Sequence, residues 1–296
     1  MSFIAIIAFL PLCTGFISNT HAGERLLVTG LEDARSISIS TLGHLFVAES
    51  GRHRILMFTD SGERMDSVGR LGNGDYQFDT PVAIDPTNEL KIYVADRNNR
   101  RIQIFDRRLQ YLSTISLPER AARRLSYRPT LLTVDQSGRL YFFDDESHRV
   151  YRFDSSGQFD LSFELYSEEE RIQPVSMDIR DNELWVIGER GLLLHRFSSG
   201  GSYLGFLYSP EPALSLRIVG DQLWLLGQNN LLRLDPGGEV SFSKSLPDVA
   251  ADTRHRRVRR SETAVWRSFD IKDRTAYVLN SSRVLRMELE FSEEEQ

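Results

Sequence analysis

Cysteine is almost absent from this sequence. The 296 residues contain one, Cys13, within the apolar and uncharged segment 3–18. A single thiol cannot form a disulfide within the chain, so a disulfide-stapled scaffold is excluded. The folded domain must instead be stabilised by packing of its apolar residues, and a hydrophobic fraction of 41% is enough for a sizeable core.

An apolar run long enough to cross a membrane is also missing. Segment 3–18 is shorter than the roughly 20 residues that a bilayer requires. It is followed by Thr20, His21 and Ala22, with small residues at the two positions that a signal peptidase reads. We therefore predict a signal peptide over residues 1–22 and a periplasmic or secreted mature protein over residues 23–296. The protein would contact the membrane only through this cleaved segment. Retention of the segment as a membrane anchor is the alternative.

The sequence has no excess of positive charge and no familiar catalytic motif. Its formal net charge is -6, which argues against a general nucleic-acid binder. A GxSxG motif is missing, and the histidines do not have the spacing of a zinc site. These absences favour a binding protein over an enzyme, although a fold by itself decides neither.

What the sequence does contain is a repeated unit, which is most complete over residues 81–106. Three short runs of β-branched and aromatic residues, at 82–84, 92–95 and 102–105, are separated by turn-forming residues. Such a pattern predicts consecutive antiparallel strands.

The same unit carries a family resemblance. Its segment Tyr93-Val94-Ala95-Asp96, followed by Arg101 and Ile102, resembles the NHL repeat of six-bladed β-propellers. The resemblance covers residues 24–291 and implies a ring of four-stranded blades. Some NHL propellers bind RNA, but the predicted signal peptide and the net charge argue against that activity here.

An aromatic residue recurs in the predicted second strand of six units. The residues are Phe46, Tyr93, Tyr141, Trp185, Trp224 and Tyr277, separated by 47, 48, 44, 39 and 53 residues. This period is close to the length of a propeller blade. We therefore predict an all-β, six-bladed β-propeller with blades near residues 35–69, 80–116, 128–165, 172–208, 212–246 and 263–290.

The sixth unit has only three predicted strands. Segment 24–30 has the spacing of the turn and fourth strand of blade one, so it is predicted to complete blade six. Pairing of the two chain ends would close the ring and remove open sheet edges.

Basic and polar residues gather on one predicted face of the propeller. This loop face is formed by the turns between second and third strands and by the connections between blades. Its candidate binding residues are Arg52, Arg97, Asn98, Arg100, Arg124, Arg256, Arg257, Arg259 and Arg260. Guanidinium groups fork onto carboxylate, sulfate or phosphate groups, so the predicted partner is an anionic glycan or an unknown protein. Solvated loops neutralised by nearby acids are the alternative.

Aspartates follow the first strand in four units, near the opposite mouth of the central channel. They are Asp85, Asp135, Asp178 and Asp270, with Ser40 and Arg217 in the other two units. Converging carboxylates could hold calcium, and zinc is the ion of the amidating propeller lyase that this fold resembles. Asp is also a preferred first residue of a turn. No cofactor is therefore predicted, and the four aspartates are retained as metal candidates only.

These observations together predict an exported, monomeric β-propeller that acts as a binding or protein-interaction module. No catalytic residue is assigned. The alternative is a propeller hydrolase or lyase, similar to a lactonase or to the amidating lyase, with a metal at the channel mouth.

Overall fold

The computed structural model of the chain describes residues 23–86, 90–115, 127–247 and 265–291. Within these ranges, 24 strands form six four-stranded sheets. All paired strands within the sheets are antiparallel, as the alternation of short strands and tight turns predicts. The prediction of an all-β, six-bladed propeller is confirmed.

The strands follow the chain blade by blade. Blade one has β2 (Ala34–Ile39), β3 (Leu45–Glu49), β4 (Arg54–Phe58) and β5 (Arg64–Val68), with a short 3-10 helix at Ser50–Arg52. Blade two has β6 (Pro81–Asp85), β7 (Ile92–Asp96), β8 (Arg101–Phe105) and β9 (Tyr111–Ile115). Blade three has β10 (Pro129–Val134), β11 (Leu140–Asp144), β12 (Arg149–Phe153) and β13 (Phe159–Glu164). Blade four has β14 (Pro174–Arg180), β15 (Glu183–Gly188), β16 (Leu193–Ser198) and β17 (Tyr203–Tyr208). Blade five has β18 (Ser215–Val219), β19 (Gln222–Leu226), β20 (Asn230–Leu234) and β21 (Val240–Ser245). Blade six has β22 (Trp266–Lys272), β23 (Thr275–Asn280), β24 (Arg283–Glu288) and β1 (Glu24–Thr29).

The first strands of the blades form the innermost ring. Each of β2, β6, β10, β14, β18 and β22 packs against the first strands of both neighbouring blades. Because these strands crowd around one axis, any polar side chain on them meets side chains from several blades. The ring therefore brings together residues that are far apart in the sequence.

The N-terminal strand closes blade six, as predicted. β1 pairs with β24 in the register Glu24 to Met287 and Thr29 to Arg283, with an irregularity between Leu26 and Val28. Val28 is buried in a cluster shared by blades six and one. The two ends of the propeller are thus joined by backbone hydrogen bonds and by apolar packing.

The hydrophobic core is divided among the six spaces between neighbouring blades. In one of them, Tyr277 and Leu279 of blade six pack with Leu45 and Val47 of blade one. Five of the six recurring aromatic residues are buried in such clusters, and Trp185 is only partly buried. In the part of the chain that the structure describes, no helix is long and apolar enough to cross a membrane.

Buried acids fix the loops at the ends of the second strands in the first three blades. Glu49, Asp96 and Asp144 are almost completely buried. Asp96 Oδ1 accepts a hydrogen bond from the backbone N–H of Asp79 at 2.7 Å, and Arg101 Nε lies 2.9 Å from its Oδ2. Asn99 Nδ2 also donates to Asp96 Oδ2, at 2.8 Å. Asp96, Asn99 and Arg101 of the repeated unit are therefore parts of its architecture.

Candidate active site at the mouth of the central channel

One first-strand residue of each blade lies directly opposite the recurring aromatic residue. The six pairs are Ser38 with Phe46, Asp85 with Tyr93, Thr133 with Tyr141, Asp178 with Trp185, Arg217 with Trp224 and Asp270 with Tyr277. We call these six first-strand residues the channel ring, because they share one level of the innermost strands. The ring contains three carboxylates, two hydroxyls and one guanidinium.

At two of the six predicted first-strand positions, the structure places a different residue in the channel ring. Blade three contributes Thr133 to the channel ring instead of Asp135, and blade one contributes Ser38 instead of Ser40. Asp135 lies beyond the end of β10, where its Oδ1 accepts the backbone N–H of Arg139 at 2.9 Å and its Oδ2 is 2.6 Å from Arg139 Nε. Asp135 is therefore a turn residue, which is the other role that aspartate commonly has at the end of a strand.

The three ring aspartates join blades by binding backbone groups of the next blade. Asp85 Oδ2 accepts the N–H of Val134 at 3.0 Å, Asp178 Oδ2 that of Ile218 at 2.9 Å, and Asp270 Oδ2 that of Ile39 at 2.9 Å. These contacts link blade two to three, four to five and six to one. Because each satisfies an inner-edge N–H group that has no neighbouring strand, the aspartates have a structural role as well as a position in the channel.

Hydroxyl groups of the ring add further bonds to two of these carboxylates. Thr133 Oγ1 donates to Asp178 Oδ1 at 2.7 Å, and Ser38 Oγ donates to Asp270 Oδ2 at 2.8 Å. Asp178 and Asp270 are both buried. Burial raises the pKa of Asp270, against the opposing effects of Arg217 and of the hydrogen bonds that it accepts.

Arg217 is the single cation of the channel ring. Burial opposes its charged form, but attraction to Asp270, Asp178 and Asp85 outweighs that effect and raises its pKa further. Its Nε lies 3.4 Å from the carbonyl oxygen of Phe269, which is a long hydrogen bond. The ring carboxylates thus favour the charged form of Arg217, and its side chain lines a cavity that a ligand could enter.

A cavity of about 390 Å³ opens at the channel ring. Ser38, Asp178, Arg217 and Asp270 line it, and Lys272 stands at its edge with Nζ 2.7 Å from the carbonyl oxygen of Thr41. Arg217 also lines a smaller space of about 90 Å³ further along the channel. Arg217 therefore lies where the two spaces meet. The larger space has the volume of a small-molecule site.

The channel ring does not fit a metal ion. Asp178 and Asp270 each accept three hydrogen bonds from protein groups, and the Arg217 cation stands among their carboxylates. Within the described ranges, no three His, Cys, Asp or Glu side chains are close enough together to hold a metal. The described carboxylates of the channel ring therefore do not form a ligand set for calcium or zinc.

The described arginines of the loop face are already paired with acids. The ion pairs are Arg52 with Glu32 at 2.6 Å, Arg97 with Asp145 at 3.3 Å and Arg100 with Glu146 at 3.0 Å. Asn98 Nδ2 donates to Asp79 and Thr80. An anionic ligand would have to compete with these acids, and anion binding on this face stays a prediction.

The other predicted loop-face residues lie outside the described residues. They are Arg124, Arg256, Arg257, Arg259 and Arg260. A binding role for these five arginines stays a prediction.

Sequence reasoning missed the channel ring as a set, although a signal for it exists. Each ring residue stands seven or eight residues before the recurring aromatic, whereas Asp135 stands six before Tyr141. Counting back from the aromatic, rather than looking for acids after a strand, would have selected Thr133 and Ser38. The sequence had already placed Arg217 at the blade-five position equivalent to the acids.

Comparisons with known proteins bear on the fold. No protein-family model matches the sequence, and no curated protein sequence matches it. Among solved structures, the chain is similar to a virginiamycin B lyase from Staphylococcus aureus, with 17% identity, a TM-score of 0.59 and coverage of 87% of this chain and 80% of the lyase. It is also similar to a gluconolactonase from Xanthomonas campestris, with 12% identity, a TM-score of 0.64 and coverage of 90% and 89%. The shared fold is the six-bladed β-propeller.

The structure of U3-55K is similar to a comparable degree, with 12% identity, a TM-score of 0.59 and coverage of 89% of this chain and 80% of that one. At such identities the likeness establishes architecture only, and propellers serve many functions. Nothing in these comparisons is specific to NHL repeats, so the NHL resemblance stays a prediction, whereas the propeller fold is established.

Proposed function

We propose that this protein is a propeller enzyme that cleaves a small, uncharged ester at the mouth of its central channel, in the manner of a lactonase or lyase. Two of the solved structures similar to it are a lyase and a gluconolactonase, which favours this alternative over a pure binding module. The cavity at the channel ring supplies a place of suitable size for such a substrate.

The observation that carries the proposal is the placement of Arg217. A guanidinium group that lines a cavity, and whose charged form is favoured by nearby carboxylates, can stabilise negative charge that develops on a substrate oxygen. Cleavage of an ester places such charge on its oxygen atoms, whether water attacks or the bond breaks by elimination. Arg217 would therefore bind the ester carbonyl and stabilise the transition state.

The charges around Arg217 restrict the substrate. The channel ring contains the three carboxylates of Asp85, Asp178 and Asp270 and one guanidinium, so an anionic ligand would meet more negative than positive charge there. An uncharged ester avoids this repulsion and still presents a carbonyl oxygen. Asp270 is the ring member suited to hold a proton, because burial raises its pKa.

The test is turnover of a panel of uncharged esters by the purified protein. The panel would include glucono-δ-lactone, simple aliphatic lactones and virginiamycin B, with products followed by mass spectrometry. We expect cleavage of at least one, and a loss of about 100-fold or more in kcat/KM on Arg217→Gln, since removal of one oxyanion donor has an effect of that size. Arg217→Lys should retain part of the activity, because it keeps the charge but loses the fork.

The matched control is Arg149→Gln. Arg149 is paired with Glu164 on blade three and does not line the channel cavity. Its replacement should leave turnover unchanged. If no ester is cleaved, or if Arg217→Gln retains full activity and the wild-type melting temperature, the proposal is wrong and a binding module becomes the better hypothesis.

A further inference from the structure

A second cavity lies away from the channel, between blades three and four. Its volume is about 470 Å³. It is bounded by the connection at residues 170–173, by the turn at residues 188–192 and by parts of β16 and β17. The channel cavity and this one share no lining residue, so they are separate sites.

The walls of this blade-three/four cavity are held by backbone hydrogen bonds. Glu189 N–H donates to the carbonyl of Gln173 at 3.1 Å, and Ser209 N–H donates to that of Leu192 at 2.9 Å. The first bond ties the turn to the connection between the blades, and the second ties it to the end of β17. The cavity is therefore built by paired main chain and not by loose side chains.

Four apolar or aromatic side chains contribute to the lining. Ile172 is buried at the base, while Leu192, Leu193 and Tyr208 stand along the sides. Tyr208 is 73% exposed, so its ring is accessible to a ligand in the cavity. Burial of these surfaces would favour a ligand with an apolar body.

His195 is the polar group inside the cavity. It is only 5% exposed, and its Nδ1 is 3.3 Å from the hydroxyl oxygen of Tyr203. The described residues provide no hydrogen-bond partner for its Nε2, which is therefore the nitrogen available to a ligand. Burial lowers the pKa of His195, against the opposing effect of Glu170, so the imidazole is uncharged at neutral pH.

The charges at the rim balance. Glu170 and Glu189 are opposed by Arg171 and Arg190. A charged ligand would thus gain no net electrostatic attraction at the rim, and the uncharged His195 would not neutralise its charge. An uncharged ligand enters without that penalty.

We propose that the cavity between blades three and four binds a compact, uncharged molecule with an apolar body and one hydroxyl group, of the phenol class, whose hydroxyl pairs with His195. A hydroxyl suits this position because it can donate to Nε2 in one imidazole tautomer or accept from it in the other. The site is independent of the ester cleavage proposed for the channel.

The probe is p-cresol, compared with toluene, which lacks the hydroxyl, and with p-toluate, which is charged. Binding to the full chain is measured by saturation-transfer NMR titration at neutral pH. We expect saturable binding of p-cresol, affinity for toluene lower by about five-fold through loss of one hydrogen bond, and still weaker binding of p-toluate. Equal binding of all three probes, or no saturable binding of p-cresol, would overturn the proposal.

Variants locate the binding. His195→Phe should keep the ring contacts but remove the preference for p-cresol over toluene, and Tyr208→Ala should weaken both by several-fold. Leu204→Ala is the matched control, because Leu204 is exposed on the same strand but does not line the cavity. If p-cresol binding is the same in all three variants, the site lies elsewhere and the proposal is wrong.

A second measurement covers the case in which His195→Phe fails to fold. The ring nitrogens of His195 in the wild-type protein, labelled with ¹⁵N, should change their chemical shifts on titration with p-cresol. The rings of His53 and His148, on blades one and three, should not change. Unchanged His195 shifts at saturating p-cresol would reject the assignment.

Discussion

At the scale of single residues, the channel ring shows how one position can serve both the fold and a site. Aspartate at this position in blades two, four and six binds a backbone N–H group of the following blade. Blade five has Arg217 at the same level, in the midst of these carboxylates. The acids join the blades, and the cation at the equivalent position gives the cavity its chemistry.

Asp270 allows the structural role to be measured. The Asp270 carboxylate accepts hydrogen bonds from Ser38, Ile39 and Ile271. Asn has nearly the same shape, but one of the two acceptor oxygens is replaced by an NH₂ group. We expect Asp270→Asn to lower the free energy of unfolding by about 1–3 kcal/mol at neutral pH, because a buried donor is left without a partner. Urea denaturation would measure this, with Asp273→Asn in the following exposed turn as the control.

The wild-type protein and Asp270→Asn also test the pKa of Asp270. Because its pKa is raised above the ordinary 3.8, the folded state holds the proton more tightly than the unfolded state. The resulting stabilisation is complete below pH 3.8 and is lost as the pH rises through the folded-state pKa. The stability difference between wild type and Asp270→Asn should therefore shift in favour of the wild type on acidification. A difference that is constant from pH 3 to pH 7 would contradict the raised pKa.

At the scale of elements, β1 is the strand that closes the ring. It is six residues long, yet it completes blade six, contributes Val28 to the cluster between blades six and one, and packs the partly buried Leu27 against that cluster. Its hydrogen bonds with β24 close the ring. A change on β1 should therefore affect the whole propeller when it reaches the cluster, and only locally when it faces solvent.

Two substitutions on β1 separate these cases. Val28→Asp places an unpaired charge in a buried cluster and should reduce the free energy of unfolding by about 3 kcal/mol or more. Leu26→Asp, where the side chain is 41% exposed, should change it by no more than about 0.5 kcal/mol. Chemical denaturation measures both, and similar values for the two variants would show that β1 does not seal the ring as described.

At the scale of the whole molecule, stability is distributed around the ring. Each of the six described clusters lies between two neighbouring blades, so no blade has a complete core of its own. The outer edges that remain are the short fourth strands of the blades, each five or six residues long. This arrangement lets a chain with one cysteine fold without disulfides, since apolar packing supplies the stability.

Export through a cleaved signal peptide is a prediction at the scale of the whole molecule. Residues 1–22 lie outside the described residues, and the first described strand begins just after Ala22. Expression of the complete sequence in a bacterial host should yield mature protein in the periplasm or medium whose mass corresponds to a chain beginning at Gly23. Ala22→Arg should block the cleavage, whereas Glu24→Gln should not. Recovery of uncleaved chain in the cytoplasm would disprove the signal peptide.

The sequence by itself determined the architecture of this protein. Turn residues, short apolar strands and the spacing of six aromatic residues predicted the blades, and segment 24–30 was placed correctly beside the last one, because strands and turns are set by local patterns. Only the tertiary structure decided the sites. Arg217 and Asp270 are 53 residues apart in this numbering, and His195 meets the connection at residues 170–173 only when blades pack. A register error of two residues, such as that at Asp135, preserves the strand pattern, since alternate residues of a strand lie on the same face. It nevertheless changes which side chains share one level of the channel.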